Sequence, residues 1–252
     1  MARADVAVAF IARRQMTLPA PYLQTLVEHD QAGKWSFFAF KSCPVIFVLA
    51  MSQLSRLAGL YKRAASMGWT VFDEQTFVPE LARIRRMVED EQVDLARHES
   101  INIDMCKDSR QSQYHCIEAW RNAILLYTHR VFDRQSDSQT PASISYLANL
   151  VMDHVQWIPS SADIQKQVLL PVFLAGAEMR APTSRKFVAD YCSHWSKASR
   201  FGHFDTARDI LQDLWQAMEA DGKMWWGPHI ESYPWSKPQE DCEDMVSEIL
   251  LG

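Results

Sequence analysis

A chain of 252 residues, 48% apolar and 23% charged, is long enough to bury a substantial core and has the balance of a folded globular protein rather than a disordered one. With 26 Lys and Arg against 31 Asp and Glu, its net charge of -5 gives no general attraction for a phosphate backbone, so direct nucleic acid binding is not expected. Five cysteines, odd in number and never spaced C-x-x-C, fit neither a disulfide framework nor a zinc site and point to a reducing compartment.

The opening "MARADVAVAFIARRQM" has an early Asp5 and no small-residue cleavage site, so no signal peptide is expected. The longest apolar runs, residues 43–51 and 168–177, fall short of the roughly 20 residues that cross a bilayer. A cytoplasmic protein without a membrane partner is the reading. Period 3.6 dominates from here on and sustained period 2 is nearly absent, which predicts an all-α, irregular multi-helix domain over residues 1–252.

Pro44 is placed to open the helix "VIFVLAMSQLSRLAGLY", apolar first and polar towards its end, with Gly68 ending the region. Pro79 is expected to open "ELARIRRMVEDEQVDLA", with a stripe of Leu81, Ile84, Val88 and Leu95 and i,i+4 pairs of Arg85 with Glu89 and Arg86 with Asp90. "QYHCIEAWRNAILLYTHRVF" sets Ile117, Trp120, Ile124, Tyr127 and Val131 on one face, the pattern of a central helix. After the polar loop 134–141, the next helix carries Ile144, Leu147, Val151 and Ile158, with His154 buried or nearly so in the same stripe.

Pro159, Ser160 and Ser161 break the chain, and the following helix runs into "VLLPVFLAGAEMR". That stretch is apolar around its circumference and so belongs at the centre of the fold. Pro171 either kinks it or marks its first turn. Ala175, Gly176 and Ala177 leave room beside it, for a neighbouring helix or for the floor of a pocket. Two more helices follow, one capped by Thr183 or Ser184, the other turning at Gly202 and capped by Asp205. They resemble a helix-turn-helix only superficially, because Asp209, Asp213 and Glu219 on the second would repel phosphate. The tail "KMWWGPHIESYPWSKP", rich in tryptophan and proline, is expected to be an aromatic cap over residues 223–238 that is not a regular helix, sealing the core or covering a ligand.

Phosphate-cradling glycine motifs, a G-x-S-x-G elbow and H-E-x-x-H are all missing, and no two histidines lie at i,i+3 or i,i+4. Neither a cofactor nor a metal is expected. What remains is an aromatic interior with polar residues at apolar positions: Arg121, His129, His154 and Glu178. An ionised Glu178 left unpaired in such a segment would cost several kcal/mol, so an arginine must answer it or it stays protonated. Arg121, Arg180 and Arg185 are the candidates.

"EAWRNAILLYTHRVF", then "LLPVFLAGAEMRAPTSRKFV", "GHFDTARDILQDLW" and "MWW", with "CPVIFVLAMSQLSRLA" before them, resemble the C-terminal half of the fungal-specific transcription factor domain, the all-helical regulatory region of the zinc binuclear cluster regulators. The resemblance covers about residues 40–230. It implies the fold and a regulatory, effector-sensing role, while none of the five cysteines supplies the family's DNA-reading zinc cluster. The first half of the helical region is expected to be missing as well.

Two functions follow as expectations. The leading one is an enzyme of fungal secondary metabolism, a cofactor-free cyclase or isomerase such as a Diels-Alderase, acting on an apolar terpenoid or polyketide intermediate. In it Trp120, Tyr127, Trp157 and Phe173 wall a pocket that Trp225 and Trp226 cover, His154 or Arg121 donates to a substrate oxygen, and Glu178 positions the donor. The alternative is a regulatory domain without its own DNA-binding module, nuclear in that case, which senses an apolar small molecule, forms a homodimer or pairs with a full-length regulator. A relative that folds without activity is the third.

Overall fold

The computed structural model describes residues 2–17, 19–33, 37–38, 42–67, 77–92, 110–133, 142–222 and 225–233. Among the described residues there are ten α-helices, one 3-10 helix and no strand. They are α1 (Ala2–Ala12), α2 (Ala20–Gln31), α3 (Val45–Ser66), α4 (Phe77–Glu89), α5 (Arg110–Phe132), α6 (Ala142–Trp157), a 3-10 turn (Asp163–Val168), α7 (Leu169–Gly176), α8 (Pro182–Ser199), α9 (His203–Ala220) and α10 (Trp226–Glu231). The all-α expectation holds. Gly68, Leu95, the loop 134–141, and Cys106 and Cys242 lie outside the described residues.

Hydrophobic patterning decides the arrangement. The predicted stripe of α5 is buried at every position, Ile117, Trp120, Ile124, Tyr127 and Val131, and α5 packs on α3, α4, α6 and α7. It is the central helix. α7 is buried around its whole circumference, from Leu169 to Gly176, and touches α5, α6, α8 and α9. Pro171 stands third in that helix, where its missing N–H is one of the unsatisfied donors of the first turn, so it starts α7 rather than kinking it. The chain enters α7 through the 3-10 turn, anchored by Gln165: its Nε2 donates to Ile158 O at 2.8 Å, its Oε1 accepts Trp195 Nε1 at 2.8 Å, and its carbonyl accepts the Tyr191 hydroxyl at 2.8 Å. A buried amide is thereby satisfied on both ends.

The space left by Ala175, Gly176 and Ala177 is filled by protein. A Cβ on Gly176 would stand 3.1 and 3.2 Å from the two methyls of Val188 and 3.4 Å from Leu211 Cδ1, so α8 and α9 close on that surface. Trp215 Nε1 donates to the Gly176 carbonyl at 2.9 Å and ties α9 to the end of α7. This is a helix crossing, and no pocket floor lies there.

Local chemistry departs from expectation at several ends. α4 begins at Phe77, with Pro79 inside its first turn. Arg85 does not pair within its helix but reaches Asp133 beyond α5, at 2.6 Å, because a partner on a packed neighbour outcompetes a solvated i,i+4 carboxylate. α8 starts with Ala181 as N-cap and Pro182 behind it, so neither Thr183 nor Ser184 caps it. The turn before α9 is made by Arg200 in the left-handed region, φ 60, and Gly202 has an ordinary φ of -65. Asp205 falls in the first turn of α9 rather than at its cap and there accepts from Ser196 and pairs with Arg208 at 2.9 Å. Finally, residues 226–231 of the aromatic tail do form a short helix, α10, because Pro228 sits in its first turn where proline is tolerated. The remainder of the expected cap, beyond residue 233, lies outside the described residues.

Candidate functional site

The C-terminal end of α5 carries the densest buried polar chemistry. Tyr127 is fully buried, stacked on Phe10 of α1 at 3.6 Å between centroids and on Trp226 of α10 at 5.6 Å. Its hydroxyl has no hydrogen-bond partner among the described residues, and burial raises its pKa well above the usual phenol range. One helical turn on, Arg130 lies beside Glu178 with Nε 3.0 Å from Oε1. Glu178 stands two residues beyond the end of α7, and its side chain is 1% exposed.

The approach is an ion-pair distance, yet the Arg130 Nε–H is poorly aligned on the carboxylate, and among the described residues neither carboxylate oxygen has a well-directed hydrogen bond. Burial therefore outweighs the attraction of Arg130 and the weaker one of Arg180, and the Glu178 pKa is raised. The expected arginine was misidentified. Arg121 points elsewhere, Arg180 is exposed and acts only at a distance, and Arg185 donates to Met179 O at 3.0 Å and pairs with Glu219. Arg130 stands three residues beyond Tyr127, beside the buried stripe, a placement that the pattern of α5 shows without naming the partner across the helices.

Trp225, just before α10, joins two arginines. Arg13 and Arg130 stand 4.9 and 5.2 Å from its ring, within cation–π range. Arg13 ends α1 in the left-handed region, φ 52, and its guanidinium pairs with Glu231 of α10, which Lys62 approaches at 3.1 Å. Gly227 makes the fold of this corner possible, since a Cβ there would stand 2.4 Å from the Trp225 ring. α1, the end of α5, Glu178 beyond α7 and α10 are thus joined by one seam of charge and aromatics.

The other end of α5 holds a separate group. Arg121 donates to the carbonyls of Val88, Glu89 at 3.1 Å and Glu91 at 2.7 Å, and its Nε pairs with Glu118 at 3.1 Å. It closes the C-terminus of α4, satisfying carbonyls that the helix leaves open, and is not a free donor facing a pocket. His154 is half-buried rather than buried, and its Nδ1 lies 2.9 Å from His115 Nδ1 on α5, a partner on another helix that i,i+n spacing does not reveal. Trp157 is 64% exposed and runs parallel to the His115 ring at 5.7 Å, so it stands on the surface and walls no interior. Trp120 and Phe173 are core residues at 1% and 2% exposure.

Of the residues expected to act together, Tyr127, Glu178, Trp225 and Trp226 belong to the seam. Arg121 and His154 lie near Glu118, about 18 Å along α5 from Arg130 at 1.5 Å per residue. The expected donor and the acid that was to position it do not meet. Among the described residues no three His, Cys, Asp or Glu side chains are placed to hold a metal ion, and no helix is long and apolar enough to cross a membrane.

A family model described as fungal specific transcription factor domain matches residues 1–249. The likeness read from motifs over 40–230 therefore extends across nearly the whole chain, and α1 and α2 are inside it. No curated protein and no solved structure matches significantly.

Proposed function

The chain belongs to the fungal specific transcription factor domain family, and from that premise we propose that it is an effector-sensing regulatory domain, acting on transcription through a DNA-binding module supplied elsewhere. The family match over residues 1–249 carries this reading. A nuclear site of action goes with it. The cyclase or isomerase reading has no comparable support, because Arg121 is engaged in closing α4, far from Glu178, and the aromatic residues it needs are divided between core and surface.

The seam at the end of α5 is the sensing element we favour. An apolar small molecule entering beside Tyr127 would meet Phe10 and Trp226 as aromatic walls and the Tyr127 hydroxyl as a buried donor that has no acceptor among the described residues. Apolar surroundings with one or two placed polar groups are the usual makeup of such a site. Any displacement of Trp226 would move α10, and with it the contacts of Trp225 and Glu231 to Arg13. Binding would thus be read out at the surface as a shift of one short helix.

The test is a ligand-induced thermal shift with apolar metabolites bearing a carbonyl, carried out on wild type and Tyr127→Phe. The orphaned hydroxyl makes the substitution neutral or mildly stabilising without ligand. With ligand, loss of one hydrogen bond should weaken binding by about 5- to 10-fold. Product formation from such a metabolite at a rate above buffer would overturn the regulatory reading in favour of an enzyme. Co-purification with a zinc cluster regulator, or a reporter response that depends on Tyr127, would support it.

A further inference from the structure

α10 is six residues long, too short to hold a helix by itself, so the side chains it inserts into the seam keep it in place. Two kinds of side chain do so. Trp226 lies against Tyr127 at 5.6 Å, in the aromatic group that Phe10 completes. Five residues on, the Glu231 carboxylate pairs with Arg13 and lies 3.1 Å from Lys62 Nζ of α3. At 1.5 Å per residue the indole and the carboxylate are about 7.5 Å apart along the helix. α10 thus offers the seam an apolar body and an anionic end from one small unit.

The surface that receives them suits that combination. Phe10 and Tyr127 are fully buried and apolar over their rings. Arg13 and Arg130 stand 4.9 and 5.2 Å from the Trp225 ring, and Lys62 adds a third cation at the rim. Arg13 is 11% exposed and close enough to the Tyr127 hydroxyl to act on its titration, so aromatic floor and cationic rim are continuous. Two other acids come near. Glu178 beside Arg130 is shifted by burial towards its protonated form and so opposes an incoming anion less, and Asp213 of α9 accepts from the Tyr233 hydroxyl at 2.9 Å.

On the footing of the sensing role given to this seam, we propose that its ligand is an amphipathic carboxylic acid. Its apolar body replaces the Trp226 indole against Tyr127, and its carboxylate replaces that of Glu231 on Arg13 and Lys62. α10 is then the resident stand-in for the ligand. A neutral molecule of the same shape would separate Glu231 from both cations and return no charge to them, whereas an acid restores the pairing. Because α10 competes for the same place, weakening its hold raises the apparent affinity of the ligand.

The experiment is calorimetric titration of the full chain with phenylhexanoate and, separately, with the neutral phenylhexanamide, on wild type, Glu231→Gln and Lys62→Met. Glu231 and Lys62 are 34% and 44% exposed, so both substitutions spare the core, and helical circular dichroism checks each variant. The expected result is one equivalent of bound acid, with the amide weaker by about tenfold or more. Glu231→Gln should bind the acid several-fold more tightly, a gain that a purely structural glutamate would not give. Lys62→Met should narrow the gap between acid and amide. Equal binding of acid and amide, or a gap unchanged in Lys62→Met, would overturn the carboxylate assignment while the seam stood as the sensing element. Binding of neither compound, in wild type and Glu231→Gln alike, would overturn both.

Discussion

Glu178 and Arg130 show how a single pair of side chains sets a balance between burial and charge. The carboxylate is nearly inaccessible, Arg130 beside it is poorly directed, and its pKa is raised, so ionising it costs more in the folded chain than in the unfolded one. A group of that kind contributes stability that is fully present below its unfolded pKa, near 4.5, and lost as pH rises through the folded value. Glu178→Gln removes the titration, so the stability of this variant relative to wild type should improve from pH 4.5 to pH 7 in urea unfolding. An unchanged difference would mean that Arg130 keeps the acid ionised without penalty. Arg130→Met should behave oppositely. It strands a buried carboxylate, costs about 3 kcal/mol at neutral pH, and costs less near pH 5, where the carboxyl can protonate.

At the scale of elements, the crossing of α7 with α8 and α9 turns on Gly176. Alanine there gains about 0.5–1 kcal/mol of helix propensity, but its Cβ meets the Val188 methyls at 3.1 and 3.2 Å. Val188 is β-branched and lies within a helix, so it cannot rotate away, and overpacking of this kind costs roughly 1–3 kcal/mol. The clash wins, and Gly176→Ala should lower stability by about 1 kcal/mol. In a Val188→Ala background the same change should become neutral or stabilising, a sign reversal that a double-mutant cycle reads directly. The sequence showed the small residues of "LAGA" and the burial of that helix, because a run with no polar face has only one place to go. It did not show which neighbour filled the space. Periodicity reports the face of one helix, whereas partners across helices depend on how the helices cross. For the same reason the stripe of α5 was legible to the residue, while Arg130 answering Glu178, Arg121 closing α4, and His115 meeting His154 were not. The proline-rich tail misled for a different reason: proline excludes a helix interior but not a first turn, and α10 is little more than a first turn.

Across the whole molecule, the histidines and the buried carboxylates are shifted by the fold in opposite directions. His115, His154, His203 and His229 are all lowered, each first by desolvation, at places as far apart as the α5–α6 seam, the start of α9 and α10. For a histidine with a depressed folded pKa, the unfolded chain binds more protons between the two values, so its stabilising contribution is present above about 6.5 and lost as pH falls below it. Glu91 and Glu178 are raised, and their contributions run the other way, growing as pH falls towards 4.5. The window from pH 7 to 6 spans the unfolded histidine pKa, so the histidine contribution begins to be lost within it. The melting temperature should therefore fall as pH is lowered through this window. His203→Asn should flatten that fall, because His203 is buried between aromatic rings and that desolvation favours its neutral form. A melting temperature that holds steady or rises from pH 7 to 6 would show that the buried carboxylates, and not the histidines, govern the acid side of the stability curve.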